Sequence, residues 1–71
     1  MTLDKNIHDL SNLHKQKRFK DMYDLSLSLD KKYPNNPEIL NALAVSNKEL
    51  GNIEKAKEIY SKILNLDAKP E

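Results

Sequence analysis

The chain matches itself. Displaced by 33 residues, Ile7 falls on Leu40, Leu10 on Leu43, Ser11 on Ala44 and His14 on Asn47. Displaced by 34, Phe19 falls on Ile53, Met22 on Ala56, Leu25 on Ile59, Ser26 on Tyr60 and Leu29 on Ile63. The change of displacement places one extra residue in the first turn, around Lys17-Arg18, where the second copy has Gly51. A self-match at this period restricts the fold to stacked supersecondary units, none of which can bury its apolar face alone. The 71 residues hold two such units and little else.

Each unit reads as a helix, a turn and a helix. Apolar residues recur at helical spacing over about 3–16 (Leu3, Ile7, Leu10, Leu13), 19–33 (Phe19, Met22, Leu25, Leu29), 37–50 (Leu40, Leu43, Ala44, Leu50) and 53–66 (Ile53, Ala56, Ile59, Ile63). The alternating run Leu25-Ser26-Leu27-Ser28-Leu29 imitates a strand, but no second strand exists to pair with it. Asn36 is placed to cap the third helix, with Pro37 at N1 and Glu38 at the positive end of the dipole. Gly51 suits the left-handed residue after a helix, Asn52 the next cap, and Thr2 the first. Turns this short make neighbouring helices antiparallel, so the expected fold is all-α with four helices.

The segment from Pro37 to Pro70 resembles one repeat of the tetratricopeptide repeat (TPR) family. Leu40 stands at the large first-helix position, Leu43-Ala44 at the Leu-Gly pair and Asn47 at the Tyr position. Gly51-Asn52 forms the turn, Ala56 is the small residue, Tyr60 the aromatic, Ile63 the last small position and Ala68 the closing Pro position. The first unit is similar through Phe19, Met22, Leu29 and the ending Tyr33-Pro34-Asn35-Asn36, with Leu10-Ser11 for the Leu-Gly pair. The resemblance implies repeats over about 3–36 and 37–70 in one TPR domain.

Composition removes several function classes. Twelve Lys/Arg against eleven Asp/Glu leave a formal charge of +1, too little for a protein that coats nucleic acid through unpaired cations. Absence of cysteine removes disulfides, thiolate nucleophiles and the common zinc sites. No apolar run approaches the roughly 18–20 residues of a membrane span, and Met1 to His8 has no signal-peptide core, so a cytoplasmic protein without a membrane partner is expected. His8 and His14 lie six apart on one helix and so on different faces, which disfavours a two-histidine metal site. His14, at the motif's Tyr position, is expected to pack at the seam between repeats. Lys15-Gln16-Lys17-Arg18-Phe19-Lys20 is the one basic run, and its place at a helix C-terminus reads as a solvated turn. The five serines have no plausible His/Asp constellation and no glycine-rich phosphate loop is present, so neither an enzyme nor a cofactor is expected.

What remains is surface. The resemblance implies a protein-interaction module in which the first helix of each repeat lines a concave face for a partner segment. In the second repeat this places Glu38, Asn41, Ala42, Val45, Lys48 and Glu49 on that face. In the first it places Asp4, Asn6, Asp9, Asn12 and Lys15 there. Asn12 and Asn41 can bond a peptide backbone, and Lys15 or Lys48 can meet a carboxylate. The family's carboxylate-clamp pattern is not reproduced, which disfavours a chaperone tail as ligand. Two other readings stay open: a repeat segment of a larger, enzymatic protein, and a self-assembling unit. The sequence stops where a third repeat would begin, which is expected to leave Ile59, Ile63, Leu64 and Leu66 as an uncovered edge for a second copy or a missing neighbour.

Overall fold

The computed structural model describes residues 3–67. Four helices follow in order: α1 (Leu3–Lys15), α2 (Phe19–Lys32), α3 (Pro37–Glu49) and α4 (Ile53–Asp67). The described residues form helices and their connecting turns with no strand among them, and the helix ends fall within one residue of those read from apolar spacing. The expected cap Thr2 and the closing position Ala68 lie outside the described residues.

Period decides what the Leu25–Leu29 run does. In α2 Ser26 and Leu29 are buried and Leu25 is half-buried, whereas Leu27 and Ser28 are exposed. One face of a 3.6-residue helix gathers 22, 25, 26 and 29, so the alternation has no structural consequence.

The turns explain why the helices stop. Asn36 Oδ1 accepts from the backbone N–H groups of Glu38 (2.9 Å) and Ile39 (3.2 Å), satisfying two amides that have no carbonyl one turn earlier. Asn35 takes a left-handed conformation (φ 64°) just before it, which asparagine tolerates better than most residues. At the end of α3, Gly51 (φ 93°) donates to the Lys48 carbonyl at 3.1 Å and Asn52 donates to the Asn47 carbonyl at 2.8 Å. At the end of α1, Lys17 (φ 59°) donates to His14 at 3.0 Å and Arg18 to Leu13 at 2.9 Å. Both ends are Schellman motifs, and every bond of one maps on the other at an offset of 34. No residue is inserted at Lys17-Arg18. The helix starts Leu3 and Pro37, and Phe19 and Ile53, obey the same offset.

That register corrects the sequence alignment of the first helices. At a constant 34, Leu10 is the counterpart of Ala44 and Leu13 that of Asn47, while Asn6 and Asp9 stand opposite the buried Leu40 and Leu43. Polar residues at these two positions, and the packing of α1 against two described helices where α3 meets three, leave α1 less buried than α3. Only Leu10 of α1 is fully buried, against seven residues of α3.

The helix α3 is central, packing against all three others, whereas α4 packs against α3 alone among the described helices. Leu10, Met22, Leu29, Ile39 and Ala42 form one core cluster, flanked by Ile7, Leu25 and Val45. Leu40, Leu43, Ala44 and Ile59 form the other, flanked by Tyr23, Tyr60 and Ile63. Ser26 and Ser46 are fully buried, and each hydroxyl donates back to a carbonyl three residues earlier, Tyr23 (3.1 Å) and Leu43 (2.9 Å). Hydroxyls satisfied within their own helix can be buried without an unpaired polar group. Asn47, also buried, donates to the Leu43 carbonyl at 2.9 Å and accepts from Asn52 Nδ2 at 3.4 Å. The Asn52 side chain thus ties α3 to the start of α4.

Candidate functional site: the groove between α1 and α3

Because α1 and α3 lie side by side with α2 behind them, a groove of about 490 Å³ opens between their outer faces. Its wall on one side is Ile7, Leu10, Ser11 and His14 of α1. On the other side are Pro37, Glu38, Asn41, Ala42 and Val45 of α3, and Met22 and Ile63 complete the lining. The spacings 7, 11, 14 and 38, 41, 45 each select one helical stripe, which is why single side chains from successive turns reach the same groove. Leu10, Met22 and Ala42 are buried and Ile7, Val45 and Ile63 half-buried, so the floor is apolar. Ser11, His14, Glu38 and Asn41 are exposed and supply its polar groups.

Three expected partner-facing residues, Glu38, Asn41 and Val45, line this groove, and Ala42 with them. Asn12, Lys15, Lys48 and Glu49 do not. The register explains the α1 difference: at an offset of 34 the counterparts of Asn41, Val45 and Lys48 are Ile7, Ser11 and His14, one residue away from the set that contains Asn12. Asn12 turns instead toward a half-buried position, the counterpart of Ser46. Lys15, Lys48 and Glu49 are exposed and outside the groove lining.

His14 is exposed and not packed in the seam, with its ring 6.0 Å from that of Phe19 in a tilted contact. His8 is exposed away from the groove, and among the described residues no three His, Cys, Asp or Glu side chains gather in a way that could hold a metal ion. The basic run is partly neutralised: Arg18 pairs with Asp21 at 2.6 Å and Lys20 with Asp24 at 3.2 Å. The pairs Lys5–Asp9, Lys55–Glu58 and Lys57–Glu54 are likewise exposed and confined to one helix, so they support helices without shaping a site.

A smaller notch of about 340 Å³ lies behind α3, lined by Leu27 and Asp30 of α2, Leu40 and Leu43, and Lys55, Glu58, Ile59 and Lys62 of α4. Asp30 Oδ1 is buried there without a hydrogen-bond partner. Two carboxylates and two ammonium groups surround an apolar base, so the notch has no net charge to select an ion.

The expected uncovered edge is also redrawn. Ile59 is buried (6% exposed) against Leu40, Leu43 and Ala44, because α3 covers that side of α4. Ile63 is half-buried in the same cluster. Leu64 (68% exposed) and Leu66 (36%) are open, and Ile53 (46%), absent from the expected set, is open with them.

No described helix is long and apolar enough to cross a membrane. Comparisons with protein-family models, with curated proteins and with solved structures find no significant match to this chain.

Proposed function

We propose that the chain is a pair of tetratricopeptide units serving as a non-catalytic protein-interaction module, which takes a segment of a partner protein in the groove between α1 and α3. The observation that carries the reading is the lining of that groove: an apolar floor flanked by Ser11, Asn41 and Glu38, on two helices held at one repeat of 34 residues. An apolar floor takes aliphatic side chains of the partner, and Asn41, with both a donor and an acceptor, matches a peptide backbone. The repeat offset, the paired Schellman turns and the central position of α3 support the tetratricopeptide identity.

A binding role is favoured over catalysis by what meets in the groove. Ser11 and His14 are its one serine–histidine combination, on successive turns of α1, and among the described residues no hydrogen bond joins them and no carboxylate pairs with the ring. A nucleophile needs a base within bonding reach and a group that orients that base.

The test compares capture of partner proteins by the parent chain and by variants. A Val45→Asp/Asn41→Ala variant should lose its partner by at least about tenfold, since a buried carboxylate in an apolar contact costs more than the roughly 1.4 kcal/mol that corresponds to that factor. Lys48→Ala, outside the groove, should bind as the parent does. Equal capture by the groove variant, or loss on Lys48→Ala alone, would contradict the assignment.

A further inference from the structure

Charge is not evenly spread along the groove between α1 and α3. Both helices run the same way, because each is joined to α2 by a short turn and packs antiparallel to it. Their first turns therefore lie toward one end of the groove and their last turns toward the other. The first turn of α1 carries Asp4 and that of α3 carries Glu38, which are counterparts at an offset of 34. Lys5, the one cation in those two turns, is paired with Asp9 at 3.4 Å. The last turns carry His14, Lys15 and Lys48, with Glu49 as their one carboxylate.

Glu38 is the one acidic side chain in the lining of the groove. It is exposed, and among the described residues no ion pair joins it. Pro37 beside it and Ile63 from α4 also line the groove, and give apolar surface on which the methylene stem of a lysine or arginine can lie. The apolar floor then leads on toward His14. From residue 38 to residue 48, the counterpart of His14, the rise along α3 is about 15 Å. An extended segment covers that length with about five residues.

Given the partner-binding role proposed above, on which this step rests, we infer that the segment seated in the groove is charge-polar. A lysine or arginine lies at Glu38, aliphatic residues follow over the floor, and acidic residues are admitted only at the His14 end. The ammonium or guanidinium donates to the Glu38 carboxylate while its stem replaces water on Pro37. An acidic residue placed there lies near Glu38 and at the level of Asp4, and the nearest cation, Lys5, is already paired. Lys15 and Lys48 stand outside the lining, so they act on the segment only through a field that salt screens. Recognition of charge falls on Glu38.

A displayed library of random peptides is selected against the parent chain and against Glu38→Lys, each first checked for unchanged helicity by circular dichroism. A clone counts as a groove ligand when Val45→Gln in the same background lowers its capture by about tenfold or more, since that change spoils the floor without adding a charge. Groove ligands of the parent should carry Lys or Arg at one end of an aliphatic core, and those of Glu38→Lys should carry Asp or Glu at that position. A synthetic parent ligand should bind Glu38→Lys more weakly by about threefold or more, with Glu38→Gln in between, and about 0.5 M salt should remove most of the difference. Groove ligands with the same charge pattern from both chains, or with no charge pattern, would overturn the inference and leave the binding role standing. Failure to find any peptide that depends on Val45 would overturn the binding role itself and the inference with it.

Discussion

Lys17 and Gly51 occupy the same place in two turns with the same hydrogen bonds, yet one has a side chain and the other does not. A non-glycine residue in the left-handed region costs roughly 1–2 kcal/mol. Glycine avoids that cost but leaves the unfolded chain freer, by about 0.4–1 kcal/mol. The difference makes Lys17→Gly stabilising by about 0.5–1 kcal/mol, which for a domain of this size raises Tm by about 2–8 °C. Gly51→Lys runs the same sum backwards. A Cβ at Gly51 meets nothing within 4 Å, so the backbone conformation alone sets the cost, about 0.5–1 kcal/mol of destabilisation. The assay is urea unfolding followed by far-ultraviolet circular dichroism, with the shift in midpoint read at constant slope. The double variant should return near the parent, since the sites are independent. Destabilisation by Lys17→Gly, or shifts of one sign in both variants, would refute the equivalence of the two turns and with it the constant repeat offset.

Asn36→Ala removes the acceptor of two backbone bonds at the start of α3 and should cost about 1 kcal/mol, more than the same change at the exposed Asn65, measured by thermal unfolding. Ile39→Ala empties a fully buried position in the core of a small domain and should cost about 2–5 kcal/mol, whereas Leu27→Ala, at 36% exposure, should cost well under half of that in the same denaturant titration. Lys20→Ala should shift stability by less than about 0.5 kcal/mol in low salt and less again at high salt, because its pair with Asp24 is exposed on both sides.

Local signals were readable where one residue performs one task. Asn36-Pro37 marks a cap and a helix start through side-chain chemistry that acts over three residues, and Gly51 marks a stop through backbone freedom. The α1 stop was hidden because Lys17 carries out the glycine's role, so apolar matching drew Ile7 onto Leu40 and Leu10 onto Leu43, one residue out of register. That slip moved the α1 side of the groove from Ile7, Ser11 and His14 to Asn12. Packing against a distant segment was not readable either. Ile59 and Leu64 look alike in a helical stripe, and only the position of α3 decides that one is buried at 6% and the other 68% exposed. Asn47 and Asn52 are similar: their link across the α3–α4 turn depends on the Schellman geometry that brings residues five apart within 3.4 Å.

Whether the groove between α1 and α3 receives a segment of another protein is read residue by residue in nuclear magnetic resonance mapping. A peptide selected for binding to this chain from a random library is titrated into the labelled protein, and backbone amide shifts are followed. A segment seated in the groove gives the largest changes at Ile7, Ser11, His14, Asn41, Ala42 and Val45, with no response at Lys48 beyond that of its neighbours. Shifts that gather on α4 or in the notch around Asp30, with these six residues still, would contradict that seating.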